Sequence, residues 1–364
     1  MTISGSVQLL GMTRGQLEGW LATRGAKPFH ARQMMKWIYR RGVDSFESMT
    51  DLSKKLREEL TETASIRLPH VLKESVSSDG TRKWLLAADG GQAIEMVFIP
   101  EPDRGTLCVS SQVGCVLDCS FCATGAQGFN RNLSTAEIVG QLLLAHRVLG
   151  DGSEGDRPVS NVVFMGMGEP LANYRNVVPA IRLMLDEYGF ELSRRRVTLS
   201  TSGLVPQMRQ LAEDCNVALA VSLHAPDDDL RDQLVPINRR HPIAELLDAC
   251  WAYAGDSGRH ITFEYVMLAG VNDSAAQAKK LAWLLRNRPA KVNLIPFNPY
   301  PGGRYKRSSE AAIAEFQSIL HHTGLRTMTR RPRGDDIAAA CGQLAGQVEN
   351  LITSPLHAKI GGGS

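Results

Sequence analysis

Cys115, Cys119 and Cys122 fall in the spacing C-x3-C-x2-C, and no fourth cysteine lies near enough to complete a local four-thiolate site. A cuboidal 4Fe-4S cluster has four irons, so three thiolates leave one iron open to a small molecule. That suits a catalyst better than an electron conduit. Structural zinc is the alternative reading of the same residues, but zinc sites commonly use C-x2-C pairs completed by Cys or His. Here the first step is C-x3-C, and no His lies between residues 71 and 145 to close such a shell.

Other stretches offer polar groups to a ligand. Met165-Gly166-Met167-Gly168-Glu169-Pro170 combines glycines, which let a backbone approach closely, with a carboxylate that can accept from an ammonium. Thr198-Leu199-Ser200-Thr201-Ser202-Gly203 is rich in hydroxyls, and Ser222-Leu223-His224-Ala225-Pro226 and Pro296-Phe297-Asn298-Pro299 are further turns. Singly, such residues merely make turns. Glu95 sits inside an apolar run, Ile94-Glu95-Met96-Val97, where strand alternation alone would let it face solvent. Of the remaining cysteines, Cys215 and Cys250 read as small core residues. On residue type alone, Cys108 and Cys341 would read the same way.

These residues need a frame. Residues 14–65 carry helical periodicity (Leu17, Trp20, Leu21; Met34, Met35, Trp37, Ile38; Leu52, Leu56, Leu60), with capping candidates from Thr50 to Ser53 and a basic outer face of Arg32, Lys36, Arg40, Arg41, Lys54 and Lys55. Stretches 71–76, 83–87 and 93–99 read as strands joined by the turns Ser78-Asp79-Gly80 and Asp89-Gly90-Gly91. Strand-like runs at 106–110, 161–165, 196–200, 217–223, 261–267 and 292–296 then alternate with helical stretches. This α/β pattern predicts an open, partial (β/α)6 TIM-like barrel, with ligands at the C-terminal ends of its strands, where the polar motifs fall. The expected organisation is a helical accessory module over residues 1–68, a β-hairpin extension packing on the barrel over 69–104, the barrel over 105–300, a C-terminal segment over 301–350 and a tail over 351–364.

A chain of 364 residues, 43% hydrophobic and 22% charged, reads as globular. It has no run of 18 apolar residues and no apolar signal core near its start, so neither a membrane span nor secretion is expected. Seven cysteines, an odd number with four of them bunched between residues 108 and 122, suit a reducing cytoplasm. The net charge of +3 does not announce nucleic acid, but Arg194 to Arg196, Arg239-Arg240, Arg304 to Arg307 and Arg330 to Arg333 are basic clusters assigned to loops after strands and to RNA contact.

The cysteine triplet, with Phe121 before its third member, resembles the signature of radical S-adenosylmethionine (SAM) enzymes. Taken with Phe29-His30-Ala31-Arg32-Gln33, Cys108 through Cys122, Met165 through Pro170, Ser222 through Pro226, Pro296 through Pro299 and Gly334-Asp335-Asp336 before Cys341, the chain resembles the adenosine-C2 RNA methyltransferases of that superfamily, which act on 23S rRNA and tRNA. The resemblance runs over nearly the whole chain. It implies a 4Fe-4S cluster on Cys115, Cys119 and Cys122 with SAM on the open iron. It also implies SAM contacts at Glu169, Pro170, Ser200, Ser222, Leu223, His224 and Asn298, with His224 a contact and not a proton carrier. Cys341 matches the S-methylated cysteine, Cys108 its disulfide partner and Glu95 the proton acceptor.

In the implied chemistry Cys341 takes a methyl from one SAM by displacement. A deoxyadenosyl radical from a second SAM abstracts hydrogen from that methyl, and the carbon radical adds to adenine C2. Proton loss to Glu95 and attack of Cys108 on the Cys341 sulfur release the product and leave a disulfide. The implied partners are RNA and an electron donor, and the expected state is a monomer. A related adenine-C8 methyltransferase would share every motif, so only the position of the new methyl separates the two. A non-catalytic, metal-containing RNA-binding protein would need neither SAM nor Cys341.

Overall fold

The computed structural model describes residues 6–151, 157–255 and 259–346. The expected tail 351–364 and the last residues of the expected C-terminal segment, 347–350, lie outside the described residues. Ten strands form a single sheet whose spatial order follows the sequence. They are β1 (Val71–Val76), β2 (Arg82–Ala88), β3 (Gln92–Glu101), β4 (Arg104–Cys108), β5 (Asn161–Phe164), β6 (Val197–Thr201), β7 (Ala218–Ser222), β8 (Ile261–Met267), β9 (Ala290–Pro296) and β10 (Arg326–Thr329). β1 to β4 pair antiparallel through tight turns, and from β4 onward every neighbour is parallel. β10 and β1 are the two edges, so the sheet is open.

All six parallel strands expected from the pattern form. β10 is a seventh, and its Arg-Thr-Met-Thr sequence has no apolar run to announce it. The hairpin strands join the sheet edge to edge through β3 and β4. Buried parallel strands usually read as continuous apolar runs. β9 instead alternates buried and half-buried residues, with Val292 and Leu294 on one face and Asn293 and Ile295 on the other. The second face lines an open cleft and is therefore not filled by side chains. Helices cover the first face, several with designed-looking starts: Ser134 accepts from the Glu137 amide (3.2 Å) while Glu137 accepts from the Ser134 amide (2.8 Å), a capping box repeated at Ser274 and Gln277.

The N-terminal stretch forms helices over Arg14–Ala22, Pro28–Met35 and Lys54–Thr63, with Ser53 capping the last by accepting from the Leu56 amide. Leu17, Leu21, Met34, Met35, Ile38, Leu56 and Leu60 join one apolar cluster that continues into the barrel. Part of the basic face is engaged inside the molecule. Arg14, Arg32 and Lys36 surround the Tyr188 ring, Arg14 pairs with Asp186, and Arg40 pairs with Glu191. Lys54, Lys55 and Arg41 stay exposed.

Gly105 in β4 faces the Pro158 carbonyl so closely that an added Cβ would stand 1.9 Å from its oxygen. Gly105→Ala is therefore expected to destabilise the fold by about 1–3 kcal/mol through a forced backbone shift. The check is the urea midpoint; an unchanged midpoint would contradict this account of the strand junction.

Candidate active site

The cysteine triplet lies on the loop beyond β4. The short strands Gln112–Gly114 and Phe129–Asn132 pair antiparallel and draw the two ends of that loop together, and the Cys115 amide donates to Gly128 O at 2.8 Å. Gly114, at φ +75°, packs so tightly that a Cβ would stand 2.0 Å from Gly128 O. Cys115, Cys119 and Cys122 all line one open cleft of ≈ 950 Å³, mouth included. Burial pushes Cys115 well above the ordinary thiol range and Cys119 up to about 12, each raised further by its neighbouring cysteines. Only a bound cation would hold this donor set as thiolates.

The strand ends supply the rest of the cleft. Glu169, Pro170, Ser200, Ser222 and His224 line it with the three cysteines and Cys341. Glu169 is buried; its Oε2 accepts from the Ser202 amide (2.8 Å) and its Oε1 from the Leu171 amide (3.0 Å), so the carboxylate is fixed in direction. Burial pushes its pKa up to about 7, against the pull of those amides, leaving a carboxylate in want of a cation. His224 has a left-handed backbone (φ +60°), and its Nδ1 accepts from the Val266 amide at 3.0 Å. Burial, with Arg231 nearby, depresses its pKa to about 3, so the ring is neutral with its proton on Nε2. A neutral donor suits ligand contact, not acid catalysis. Phe121 meets the same ring edge-on at 4.7 Å.

Leu223 and Asn298 are buried and lie outside the cleft lining. Leu223 contributes its carbonyl to Arg231, while Asn298 Oδ1 is buried with no hydrogen-bond partner. An orphaned carbonyl of this kind fits a polar ligand that completes it.

Cys341 is exposed and reaches the cleft from the segment after β10. That segment is tied down along its length. Asp336 accepts from Ser77 Oγ (2.5 Å) and the Ser78 amide (3.2 Å), and Arg333 pairs with Asp79 (3.5 Å). Gly342 O accepts from the Ala123 amide (2.8 Å), and Leu344 O accepts from Thr124 Oγ1 (2.6 Å), so the segment crosses directly over the cysteine loop. Cys108 does not line the cleft. It is buried at the end of β4, pushed up to about 12 by burial and by Cys341, with Arg330 opposing. Glu95 is buried in β3 and pairs with Lys83, so it does not take the solvent-facing place that alternation allowed.

Functional residues missed at the sequence level are mostly cations. Arg231 is fully buried and donates to Leu223 O (3.1 Å), Ser222 O (3.0 Å), Ser202 O (2.7 Å) and Asn238 Oδ1 (2.8 Å), clamping the ends of β6 and β7. Its helix, Asp228–Leu234, reads DDLRDQL, which looks like solvated surface. Arg330 donates to Cys341 Sγ at 3.5 Å and faces the buried Glu264 at 3.8 Å. The basic clusters thus divide. Arg330 and Arg333 are turned to internal partners; Arg239, Arg240, Arg304 and Lys306 stay exposed. Arg194 to Arg196 precede β6 and lie at its other end, contrary to their expected placement after a strand.

Residues 109–282 match the model of the radical SAM superfamily, and residues 7–66 match that of the ribosomal RNA large subunit methyltransferase N-terminal domain. A solved radical SAM methyltransferase from Sphaerobacter thermophilus superposes with a TM-score of 0.87 at 46% identity, covering 93% of this chain and 99% of that one. Fold and site therefore define a radical SAM enzyme. Curated relatives described as dual-specificity RNA methyltransferase RlmN are 57% identical over 346 residues in Alkalilimnicola ehrlichii (94% of this chain, 95% of that protein) and 53% identical over 354 residues in Alcanivorax borkumensis (96% and 93%). The chain belongs to the RlmN family of RNA methyltransferases. Membership implies a 4Fe-4S cluster and SAM, and the donor set of the cleft fits both. Among the described residues no helix is long and apolar enough to cross a membrane.

Arg231→Met would remove the donor from four acceptors at once, two of them buried. We expect a loss of about 3–5 kcal/mol in urea unfolding, together with a raised KM for SAM. A variant with unchanged stability and unchanged KM would remove Arg231 from the site's construction.

Proposed function

We propose that this protein methylates C2 of adenosine in RNA, with 23S rRNA and tRNA as its substrates, through a methyl group carried on Cys341. One observation carries the reading: Cys341, far along the chain, reaches the same cleft as Cys115, Cys119 and Cys122, with Cys108 buried within electrostatic range. Adenine C2 has no lone pair with which to attack a sulfonium methyl, so an ordinary displacement at that carbon is closed. A thiol has no such difficulty.

Cys115, Cys119 and Cys122 would hold the single 4Fe-4S cluster, which when bound supplies the electron for homolytic cleavage of SAM. Glu169 is aimed to accept from the SAM ammonium, and Pro170 fixes the turn behind it. Ser200, Ser222, Asn298 and the Nε2–H of His224 offer donors and acceptors to the remaining polar groups, while Leu223 supplies packing and its Arg231-bound carbonyl. Cys341 takes the methyl group, and the Arg330 guanidinium, donating to its sulfur at 3.5 Å, holds that sulfur in the cleft. Glu95 accepts the C2 proton. Cys108 then attacks the Cys341 sulfur. The sulfur–methylene bond breaks with its electron pair left on the product carbon, which takes a proton to become the methyl group. The adduct's one surplus electron returns to the carrier that supplied it. The resulting disulfide must be reduced before the next turnover, which fits the cytoplasm.

The C2 edge of a paired adenine faces the minor groove, so the substrate base must come from a loop or be flipped out. Residues 1–68, with exposed Lys54, Lys55 and Arg41, and the exposed Arg239, Arg240, Arg304 and Lys306 are assigned to the RNA backbone. The remaining expected units keep their roles: 69–104 as the extension carrying Glu95, 105–300 as the barrel and 301–350 as the carrier segment. An external electron donor and a monomeric state complete the proposal.

Cys341→Ala should abolish methylation while iron content stays at the wild-type level; retained turnover would remove the carrier role. Cys108→Ala should accumulate a covalent protein–RNA adduct, visible as an RNase-sensitive band shift, and release of product at the normal rate would contradict it. Mass spectrometry of digested RNA should place the new methyl on C2, and a C8 product would overturn the assignment.

A further inference from the structure

Lys83 and Glu95 stand on neighbouring strands. The register pairs Lys83 with Val97 and Leu85 with Glu95, so the two charged residues are diagonal neighbours on one face of the sheet. Val97 in turn pairs with Cys108, which puts that thiol in the same register row as Lys83. Lys83 Nζ lies 3.0 Å from Glu95 Oε1, with the side chains only 14% and 11% exposed. Both partners also reach the segment that carries Cys341. Lys83 Nζ donates to Ala338 O at 3.1 Å, and Glu95 Oε2 accepts from the Ala345 amide at 2.9 Å. The single ion pair thus grips the chain on either side of Cys341.

We propose that Lys83 is a positioning residue for proton removal, and that the Lys83–Glu95 pair is a clasp on the methyl-carrier segment that loosens when Glu95 takes up the C2 proton. This rests on the assignment of Glu95 as proton acceptor made above. Lys83 holds one carboxylate oxygen and so orients the other. When the C2–H bond breaks, its electron pair stays on the adenine adduct and the proton forms an O–H bond at Glu95. The proton competes with the Ala345 amide for Oε2, and neutralising the carboxylate weakens its attraction to Lys83. The C-terminal half of the segment is then freed while Ala338 is still held. At that point Cys341 has to meet the buried Cys108. The clasp therefore couples loss of the proton to the movement needed for the S–S bond.

The test is amide hydrogen exchange, read by mass spectrometry on peptides spanning 334–346 of the cluster-loaded enzyme. Lys83→Met should raise exchange at the Ala345 side roughly tenfold, while Lys83→Arg should stay close to wild type. With RNA and SAM, Lys83→Met should still load methyl onto Cys341 but slow the steps after adduct formation. Unchanged exchange in Lys83→Met, or a loss of methyl loading that matches the loss of turnover, would overturn the clasp. Glu95→Gln imitates the protonated carboxyl: it is neutral, keeps one acceptor oxygen and cannot take the proton. It should show raised exchange at the Ala345 side and an RNA adduct that retains its C2 hydrogen, and wild-type exchange would overturn the proton-triggered release. Normal turnover by Glu95→Gln would remove the proton-acceptor role, and with it the proton-triggered release. The Lys83→Met exchange result reports on the resting clasp whichever way that falls.

Discussion

The site depends on one constraint: a thiol from the end of the chain has to be held over a loop of three other thiols without joining them. Cys341 meets that constraint through backbone ties on both sides. Gly342 O and Leu344 O bond to the turn just after Cys122, while Asp336 and Arg333 fasten the preceding stretch to the β1–β2 turn. All of these ties would be empty without the hairpin strands or the cysteine loop. The antiparallel half of the sheet is therefore part of the site's machinery as well as its frame.

Electrostatics divides the sulfurs that line the cleft, the triplet and Cys341, into two settings. The triplet lines the open cleft, where desolvation raises its thiols and the space leaves room for a cationic group of several atoms. Cys341 sits beside Arg330, itself opposed by buried Glu264, so a guanidinium is its near partner. Glu169 and His224 complement this division: a carboxylate fixed by two amides, and an imidazole locked neutral by a backbone donor. Each is poised for contact with a charged ligand by the direction of its hydrogen bonds.

Much of the frame was legible from residues alone, because parallel strands, glycine turns and helix caps are local signals. Ser53, in the expected capping stretch, caps the helix it precedes, and the six expected strands form. β10 escaped because Arg326–Thr329 pairs along a single edge and needs no apolar run. The cysteine triplet was legible because its spacing is short. Cys341 and Cys108 had no local signal and gained a role only through family resemblance. Arg231 and Lys83 gave none at all, since their partners are carbonyls and carboxylates brought close only by the fold. Arg194 to Arg196 misled for the converse reason: a basic run carries no information about which end of a strand it occupies.

The central claim is that the methyl group passes through Cys341 and is not delivered to RNA intact. The direct measurement uses SAM with a fully deuterated methyl, anaerobic enzyme freed of prior methyl, and RNA, with mass spectrometry of both the Cys341 peptide and the modified adenosine. The account predicts that Cys341 acquires the deuterated methyl and that the adenosine methyl arrives having exchanged one deuterium for hydrogen. An adenosine carrying the methyl with all its deuterium, and an unlabelled Cys341, would contradict it.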